Sequence, residues 1–364
     1  MKKIFALLMS FILVLLAVGC GGNGNSGNKV SDGMSSSVGT PQNESTTNNI
    51  SSNGSTIGSS STASNEDTPF KLTIAESYTK FQSNSVVICF GDSITEGMGM
   101  TQGYDYPHQL QANLKGQYRV INAGVSGEKM EAITSRANAA NFVLTNDVVF
   151  PVGTDKVALN RELFSYADGT KIQYLAFGKG LAQNRVIIGG VKYNIEYKKG
   201  GTDGRDGTYT LVRSDSTKAL TLKKGTLVKY DYSEQFSSCH VAVVLMGANG
   251  GPSVEKRIAE CKKFAEYYDK YIIICPFYGA DDIEKYEAAF GKNVANPRKY
   301  GYESAHKAYD LEITKTDEWC ILKKRMPATF LYKGNKEECH MSELGYKLLA
   351  DVVYQKGVEL GYWK

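Results

Sequence analysis

The sequence predicts an α/β protein whose core is a parallel β-sheet covered by helices. Strands that are buried on both faces read as continuous apolar runs, and such runs occur at 86–90, 241–246 and 271–275. Amphipathic helical patterns follow at 106–114, 253–268 and 345–360. Strands that alternate with helices favour a layered α/β sheet.

The composition is that of a globular protein. The chain has 364 residues, of which 42% are hydrophobic and 22% charged, so a fully disordered, collagenous or multi-span membrane protein is excluded. Lys and Arg total 42 against 38 for Asp and Glu, a net charge of +4. This small excess predicts no nucleic-acid partner.

The N-terminus has the pattern of an export signal. Lys2 and Lys3 precede an apolar run over 4–18, which is shorter than the roughly 20 residues of a transmembrane helix. The residues 16–20, Leu-Ala-Val-Gly-Cys, resemble the lipobox of bacterial lipoproteins, in which the Cys is acylated and becomes the new N-terminus. That resemblance implies a signal peptide over 1–19, lipidation at Cys20 and attachment to the extracytoplasmic face of the cell membrane. A plain secretory signal or a single anchor helix is the alternative.

A linker and three further segments are expected after the signal. Between Gly21 and Glu66, 34 of 46 residues are Ser, Gly, Asn or Thr, which predicts a flexible tether over 20–67. The strand and helix patterns occupy 68–146 and 237–364. Between them, 147–236 has Gly-rich turns and alternating polar and apolar residues, so we expect a β-rich insertion there.

Four short blocks place chemically useful residues at strand ends or before a helix. Gly91-Asp92-Ser93 follows the first strand. Asn122-Ala123-Gly124 lies at the end of a second strand, and Gly127 follows three residues later. Gly247-Ala248-Asn249-Gly250 follows the third, and Glu337-Glu338-Cys339-His340 precedes the last helix. The carboxyl ends of parallel strands meet at one edge of a sheet, where α/β proteins bind their ligands. We therefore expect these blocks to form one site.

The order Ser, Gly, Asn, His resembles the SGNH (GDSL-type) hydrolase family over about 68–145 and 237–364. The resemblance implies a three-layer α/β/α, flavodoxin-like core. It also implies that Ser93 is the nucleophile, that His340 is its general base, and that the amides of Ser93 and Gly127 with the Asn249 side chain form an oxyanion hole.

The sequence departs from the family pattern at two positions. The residue three before His340 is Glu337 where the family has Asp. We expect Glu337 to orient the imidazole, with Glu338 or a Ser–His dyad as alternatives. Gly250 follows Asn249 in place of the usual Asp, which should reshape a loop without removing chemistry.

The expected activity is that of a cofactor-free serine esterase. From the compartment and the range of the family, we expect O-acyl groups, acetyl above all, on extracellular or cell-wall carbohydrate. A lipase or thioesterase for longer acyl chains, or a non-catalytic glycan-binding protein on the same scaffold, are the alternatives. The sequence has no zinc spacing, no H-E-x-x-H and no phosphate-binding loop, so it predicts neither metal nor nucleotide chemistry.

The insertion has aromatic residues with two interpretations. They are candidates for stacking on sugars, or they form the small core of the insertion itself. They are Tyr166, Tyr174, Phe177, Tyr193, Tyr197 and Tyr209.

Overall fold

The computed structural model describes residues 85–101, 103–160, 162–172, 184–198, 208–231, 239–276, 282–297 and 302–363. The predicted signal peptide, the lipidation site Cys20 and the linker 20–67 lie outside these residues. In the described ranges, every helix is too short or too polar to cross a membrane.

Five parallel strands form the central sheet, and their order is that of flavodoxin-like folds. Numbered along the chain, these five strands lie in the order 2-1-3-4-5. All five run parallel, and the order in which strands are added reverses between the first and the third, which makes this the topological switch point. The predicted parallel α/β core is therefore confirmed. The strands are β1 (Val86–Gly91), β2 (Arg119–Gly124), β13 (Val241–Leu245), β14 (Tyr271–Ile274) and β15 (Val294–Ala295).

Helices cover both faces of this sheet because successive side chains of each strand point to opposite sides. On β1, Val87 and Cys89 contribute to one apolar core, and Ile88 and Phe90 to the other. Helices α2 (Tyr106–Asn113) and α8 (Glu343–Glu359) pack on the first face, and α3 (Met130–Arg136), α4 (Val254–Tyr267) and α5 (Asp282–Phe290) on the second. The short helices are α1 (Ser93–Glu96), α6 (Tyr302–Ala308) and α7 (Lys315–Leu322).

An antiparallel β-structure lies between α3 and β13. Eight of its strands form one sheet, in the order β5-β10-β9-β8-β12-β3-β6-β7, and β4 pairs with β11. The strands are β3 (Phe142–Leu144), β4 (Val148–Phe150), β5 (Lys156–Leu159), β6 (Phe164–Tyr166), β7 (Lys171–Ile172), β8 (Asn184–Ile188), β9 (Val191–Lys198), β10 (Thr208–Val212), β11 (Leu220–Leu222) and β12 (Leu227–Tyr230).

The insertion has an apolar core of its own, and three of the predicted sugar-stacking residues lie in it. Tyr166, Tyr193 and Tyr209 are buried there, so they are not available for stacking on a ligand. For these three side chains the structure supports the second interpretation, that they form the core of the insertion. Tyr174, Phe177 and the side chain of Tyr197 lie outside the described residues.

Tyr166 also joins the insertion to the helices on the second face of the parallel sheet. Its hydroxyl lies 2.9 Å from the carbonyl oxygen of Glu131 in α3 and 3.0 Å from a carboxylate oxygen of Glu260 in α4. The ammonium of Lys263 lies 3.7 Å above the Tyr166 ring. The insertion is thus attached to helices that follow the second and third parallel strands.

The close approach of β2 to α1 leads to a stability prediction. A Cβ at Gly124 would overlap the backbone nitrogen of Glu96, and neither backbone can move without displacing a strand or the α1 turn. We expect Gly124→Ala to lower the free energy of unfolding by about 3 kcal/mol, the upper part of the range for overpacking. Urea titration measures this change.

Gly153→Ala is the matched control. Gly153 has a φ of 76°, and no atom lies within 4 Å of the position that its Cβ would occupy, so the substitution should cost only about 1 kcal/mol of backbone strain. Equal losses in the two variants would show that β2 and α1 do not require this close contact.

Candidate active site

The turn between β1 and α1 presents Ser93 at the carboxyl edge of the sheet. Asp92 precedes the helix, and its carboxylate accepts a hydrogen bond from the backbone N–H of Ile94 at 3.1 Å. A Cβ at Gly91 would overlap Thr95 and the carbonyl oxygen of Leu245, so the strand can turn here only with glycine. Ser93 is the first helical residue and is 6% exposed.

His340 reaches Ser93 from a distant part of the chain. The hydroxyl oxygen of Ser93 lies 3.0 Å from Nε2 of His340, and 247 residues separate the two in sequence. The carbonyl of His340 accepts a hydrogen bond from the N–H of Tyr332, which fixes the loop before α8. The structure thus brings together the predicted nucleophile and base.

Glu338, and not Glu337, contacts the imidazole. The carboxylate of Glu338 lies 2.8 Å from Nδ1 of His340. Glu337 points to solvent, where its carboxylate lies 3.4 Å from Arg325. The expectation for Glu337 is therefore corrected. The physical reason is a turn in which the side chain of Asn335 accepts a hydrogen bond from the N–H of Glu337, and this turns the next residue toward His340.

The environment of Glu338 keeps its carboxylate ionised. Partial burial acts to raise its pKa, but hydrogen bonds from His340 and from the backbone N–H of Cys339 outweigh burial, so the pKa is lowered from its ordinary value. An ionised carboxylate only accepts hydrogen bonds, so the proton of a neutral His340 sits on Nδ1. Nε2 is then left as the acceptor for the Ser93 hydroxyl.

A second carboxylate, Asp92, lies buried beneath the site. Besides Ile94, it accepts a hydrogen bond from the backbone N–H of Ala248 at 3.3 Å, so it connects the turn after β1 with the turn after β13. Burial raises its pKa to about 6, against the opposing effect of the two backbone hydrogen bonds and of His340.

The turn after β2 places Gly127 beside the other two turns. Gly127 has a φ of 80°, a left-handed conformation that side chains other than glycine adopt with strain. The N–H of the preceding residue, Ser126, donates to the carboxylate of Glu96 in α1 at 2.6 Å. The strand end is held as well, since the N–H of Gly124 donates to the Asn122 side chain at 2.9 Å.

Asn249 is connected to the turn after β2 through the backbone of Glu128, whose side chain forms a buried ion pair. Its side-chain amide donates to the carbonyl of Glu128 at 3.0 Å, one residue after Gly127. The carboxylate of Glu128 is paired with Arg136 of α3 at 2.6 Å, and both side chains are buried. The guanidinium also lies 3.5 Å from the carbonyl of Gly91. The Asn249 amide has a second hydrogen that can donate to a substrate oxygen.

Gly250, the second departure from the family pattern, lies in a turn with left-handed backbone. Gly247, Gly250 and Gly251 have φ values of 102°, 82° and 55°. The side chain of Lys129 lies close to the position that a Cβ of Gly250 would occupy. The loop after β13 is therefore shaped by glycine conformation.

The other three histidines make contacts away from Ser93. His108 is buried and pairs with Asp105 at 2.7 Å, and Nε2 of His240 lies 3.1 Å from the carbonyl of Tyr362. His306 is buried with its ring edge toward Phe330.

The sequence analysis gave one acidic residue of this site, Glu338, only as an alternative, and it missed two others. Glu338 has the same side chain as its neighbour Glu337, and only the local turn separates them. Asp92 is part of the Gly-Asp-Ser block, but nothing in the sequence indicates the hydrogen bond that it accepts from the backbone N–H of Ala248. Glu128 has its partner Arg136 eight residues later, about two helical turns, which is a spacing that could have indicated the pair.

No family model matches the sequence, and no curated protein matches it. Similar folds occur among solved structures. One is a protein from Desulfitobacterium hafniense described as lipolytic and of the G-D-S-L family, with 13% identity, 75% of this chain and 99% of that chain covered, and a TM-score of 0.35. Another is a carbohydrate acetylesterase family member from Sinorhizobium meliloti, with 11% identity, 76% and 99% coverage and a TM-score of 0.31.

A third similar structure is AlinE4, an SGNH-hydrolase family esterase, with 14% identity, 64% and 76% coverage and a TM-score of 0.26. The first and third of these structures are described as members of the family that the four sequence blocks resemble. The similarities are low, so a functional assignment has to depend on the side chains of this chain.

The two neighbouring glutamates give a matched pair of variants. Glu338→Gln removes the negative charge at Nδ1 of His340, so kcat of a reaction in which Ser93 acts as nucleophile should fall on the order of 10²–10⁴-fold. Glu337→Gln changes an exposed side chain and should leave kcat close to that of the wild type. Steady-state kinetics on a nitrophenyl ester, as a probe of the Ser93 hydroxyl, measures both, and the reverse order of effects would contradict the assignment of Glu338.

The pKa of Asp92 predicts a pH-dependent stability. Because its pKa rises from 3.8 to about 6 on folding, the folded state favours the protonated form. This stabilisation is fully present below about pH 3.8 and is lost as the pH rises through about 6. Between about pH 4 and pH 7, the wild type should lose up to about 3 kcal/mol relative to Asp92→Asn, at about 1.4 kcal/mol per pKa unit.

Urea unfolding across this pH range measures the difference. Asp269→Asn, a change at an exposed aspartate, is the control and should follow the wild type. A constant difference between wild type and Asp92→Asn would show that Asp92 is not held in a site that disfavours its charge.

Proposed function

We propose that this protein is a serine esterase of the SGNH type, which hydrolyses carboxylic esters through an acyl-enzyme. The main support is the arrangement of Ser93, His340 and Glu338. Nε2 of His340 lies 3.0 Å from the Ser93 hydroxyl oxygen, and Nδ1 lies 2.8 Å from the Glu338 carboxylate. Gly127 and Asn249 lie in adjoining turns at the same sheet edge. A nucleophile, a base and an orienting carboxylate within hydrogen-bond reach are the signature of an activated serine.

The first half-reaction forms the acyl-enzyme. Nε2 of His340 takes the proton of the Ser93 hydroxyl as its oxygen attacks the ester carbonyl carbon. Charge develops on the carbonyl oxygen, which the N–H groups of Ser93 and Gly127 and the amide of Asn249 would stabilise. The imidazolium then gives its proton to the alkoxide leaving group, and the alcohol departs. Glu338 stabilises the positive charge of His340 throughout.

The second half-reaction releases the acid. A water molecule gives a proton to Nε2 of His340 and attacks the acyl carbon, and the same donors stabilise the second tetrahedral intermediate. The proton returns to the oxygen of Ser93 as the acyl–serine bond breaks. The products are the carboxylic acid and the free enzyme.

The proposed substrate class follows from the proposed location. The N-terminal pattern suggests a lipid anchor at Cys20 and a long tether, which would hold the domain outside the cell near the membrane. Ester groups abundant in that compartment include O-acetyl groups on cell-wall and extracellular carbohydrate. We therefore favour acetylated carbohydrate as the substrate.

One observation favours longer acyl chains as an alternative. Met98 is 51% exposed, and its N–H donates to the carbonyl of Ser93. An exposed apolar side chain this close in the chain to a nucleophile could receive an alkyl chain. A series of nitrophenyl esters from acetate to palmitate separates the two alternatives. Turnover that falls with chain length supports the acetylesterase, and turnover that rises steeply supports the lipase or thioesterase.

Covalent labelling with a fluorophosphonate tests the proposed chemistry. The wild type should be labelled, and Ser93→Ala and His340→Ala should lose the label because the first lacks the nucleophile and the second lacks its base. Ser214→Ala, at an exposed serine of the insertion, is the control and should label like the wild type. A folded wild-type protein that takes no label would favour a non-catalytic glycan-binding protein.

A further inference from the structure

We propose that Glu338, Cys339 and His340 form a binding site for a thiophilic divalent cation such as Zn²⁺, and that the bound cation reversibly blocks the serine. The cation would coordinate Nδ1 of His340, the position that Glu338 contacts in the free protein. This inference concerns the regulation of the proposed esterase. Inhibition by the cation rests on the proposed function, whereas binding of the cation does not.

The three ligand atoms are already close together. One atom from each of Glu338, Cys339 and His340 lies within 4.8 Å of the others. The sulfur of Cys339 is 3.7 Å from Nδ1 of His340, and the Glu338 oxygen is 2.8 Å from the same nitrogen. In a tetrahedral zinc site with bonds of about 2.3 Å to sulfur and about 2.0–2.1 Å to nitrogen and oxygen, these separations are about 3.5 Å and 3.3 Å. Shifts of about half an ångström or less therefore suffice for these two pairs of atoms, and the third pair, the Glu338 oxygen and the Cys339 sulfur, has to come from within 4.8 Å to about 3.5 Å.

The charges and protons of such a site balance. The Cys339 thiol loses its proton to solvent, so the thiolate and the Glu338 carboxylate together neutralise the two positive charges of the cation. Nδ1 of His340 gives up its proton to coordinate the cation. A proton from solvent is then held on Nε2, so the imidazole remains neutral.

The change of tautomer explains the inhibition. With its proton on Nε2, His340 can no longer accept the proton of the Ser93 hydroxyl, which lies 3.0 Å away. Glu338 is also taken from its contact with the imidazole. The cation thus removes the base and the carboxylate in one binding event, while the Ser93 turn is left in place.

Access and ligand type both favour this thiol. The side chains of His340 and Glu338 are 19% and 26% exposed, and Cys339 is also partly exposed. Cys239 is the other partly exposed thiol of the described residues, and burial raises its pKa to about 12. A thiolate with an imidazole selects zinc-like cations over Mg²⁺, which prefers oxygen ligands. The remaining described thiols are buried: Cys89, Cys261, Cys275 and Cys320.

Cobalt binding to the full-length chain tests the site without any measurement of activity. Co²⁺ bound by a thiolate gives a sulfur-to-cobalt charge-transfer absorption, which we expect in the wild type and not in Cys339→Ser. Cys239→Ser and Cys20→Ser are matched controls that should keep the band. Absence of the band in the wild type, or its persistence in Cys339→Ser, would overturn the proposal.

Inhibition by Zn²⁺ tests the regulatory part. The activity of each variant on a nitrophenyl acetate is measured with Zn²⁺ and compared with the activity of the same variant in chelator. Loss of outer partners of a metal site costs 10–100-fold in affinity, so loss of a ligand in Cys339→Ser should raise the inhibitory Zn²⁺ concentration at least about tenfold. Chelator should restore the activity, and Mg²⁺ should have no effect. Equal inhibition of wild type and Cys339→Ser would contradict the mechanism.

The two proposals fail in different ways. A wild type that hydrolyses no ester in chelator would contradict the esterase proposal, and the cobalt spectrum would then still decide the metal site. An active wild type without the cobalt band would contradict only the metal site.

Discussion

The site depends on the carboxylate of Asp92, which is buried where two strand ends meet. It accepts hydrogen bonds from the backbone of Ile94 in α1 and of Ala248 after β13, so it fixes the nucleophile turn relative to the asparagine turn. Asp92 is 1% exposed, and this burial raises its pKa to about 6. Ser93 directly follows Asp92 in the chain, so the free-energy cost of burying this carboxylate is incurred at the candidate active site.

The turn after β2, which contains Gly127, is held in place by two further acidic residues. Glu96 accepts the N–H of Ser126, and Glu128 is paired with Arg136 in the interior. Burial raises the pKa of Glu128 despite the opposing charge of Arg136, so this pair also has a cost in desolvation. Breaking such a pair by removing one partner is expensive, since it leaves a buried charge. Hydrogen bonds at Ser126 and Glu128 thus hold the backbone around Gly127 and Asn249 in place without a substrate, as electrostatic stabilisation of a transition state requires.

Much of the core could be predicted from the sequence, and the parts that could not have physical reasons. The runs that became β1, β13 and β14 are buried on both faces, so their apolar character is continuous and easily recognised. β15 has two residues and no such run. The insertion was predicted as β-rich, but its strand order depends on pairing between distant segments, which local patterns do not determine. Ser93 and His340 were predicted together from the order of the blocks. The sequence does not indicate which of Glu337 and Glu338 contacts His340. That choice depends on a turn in which the side chain of Asn335 accepts a hydrogen bond from the N–H of Glu337, and residue spacing does not predict this bond.

A crystal structure of the protein after reaction with a fluorophosphonate would test the central claim most directly, because the tetrahedral phosphorus mimics the acylation intermediate. We expect a covalent bond to the Ser93 oxygen and a phosphoryl oxygen within hydrogen-bond distance of three donors: the N–H groups of Ser93 and Gly127 and the amide of Asn249. Nδ1 of His340 should remain in contact with Glu338. An adduct on another residue, or a phosphoryl oxygen that points away from Gly127 and Asn249, would contradict the proposed site.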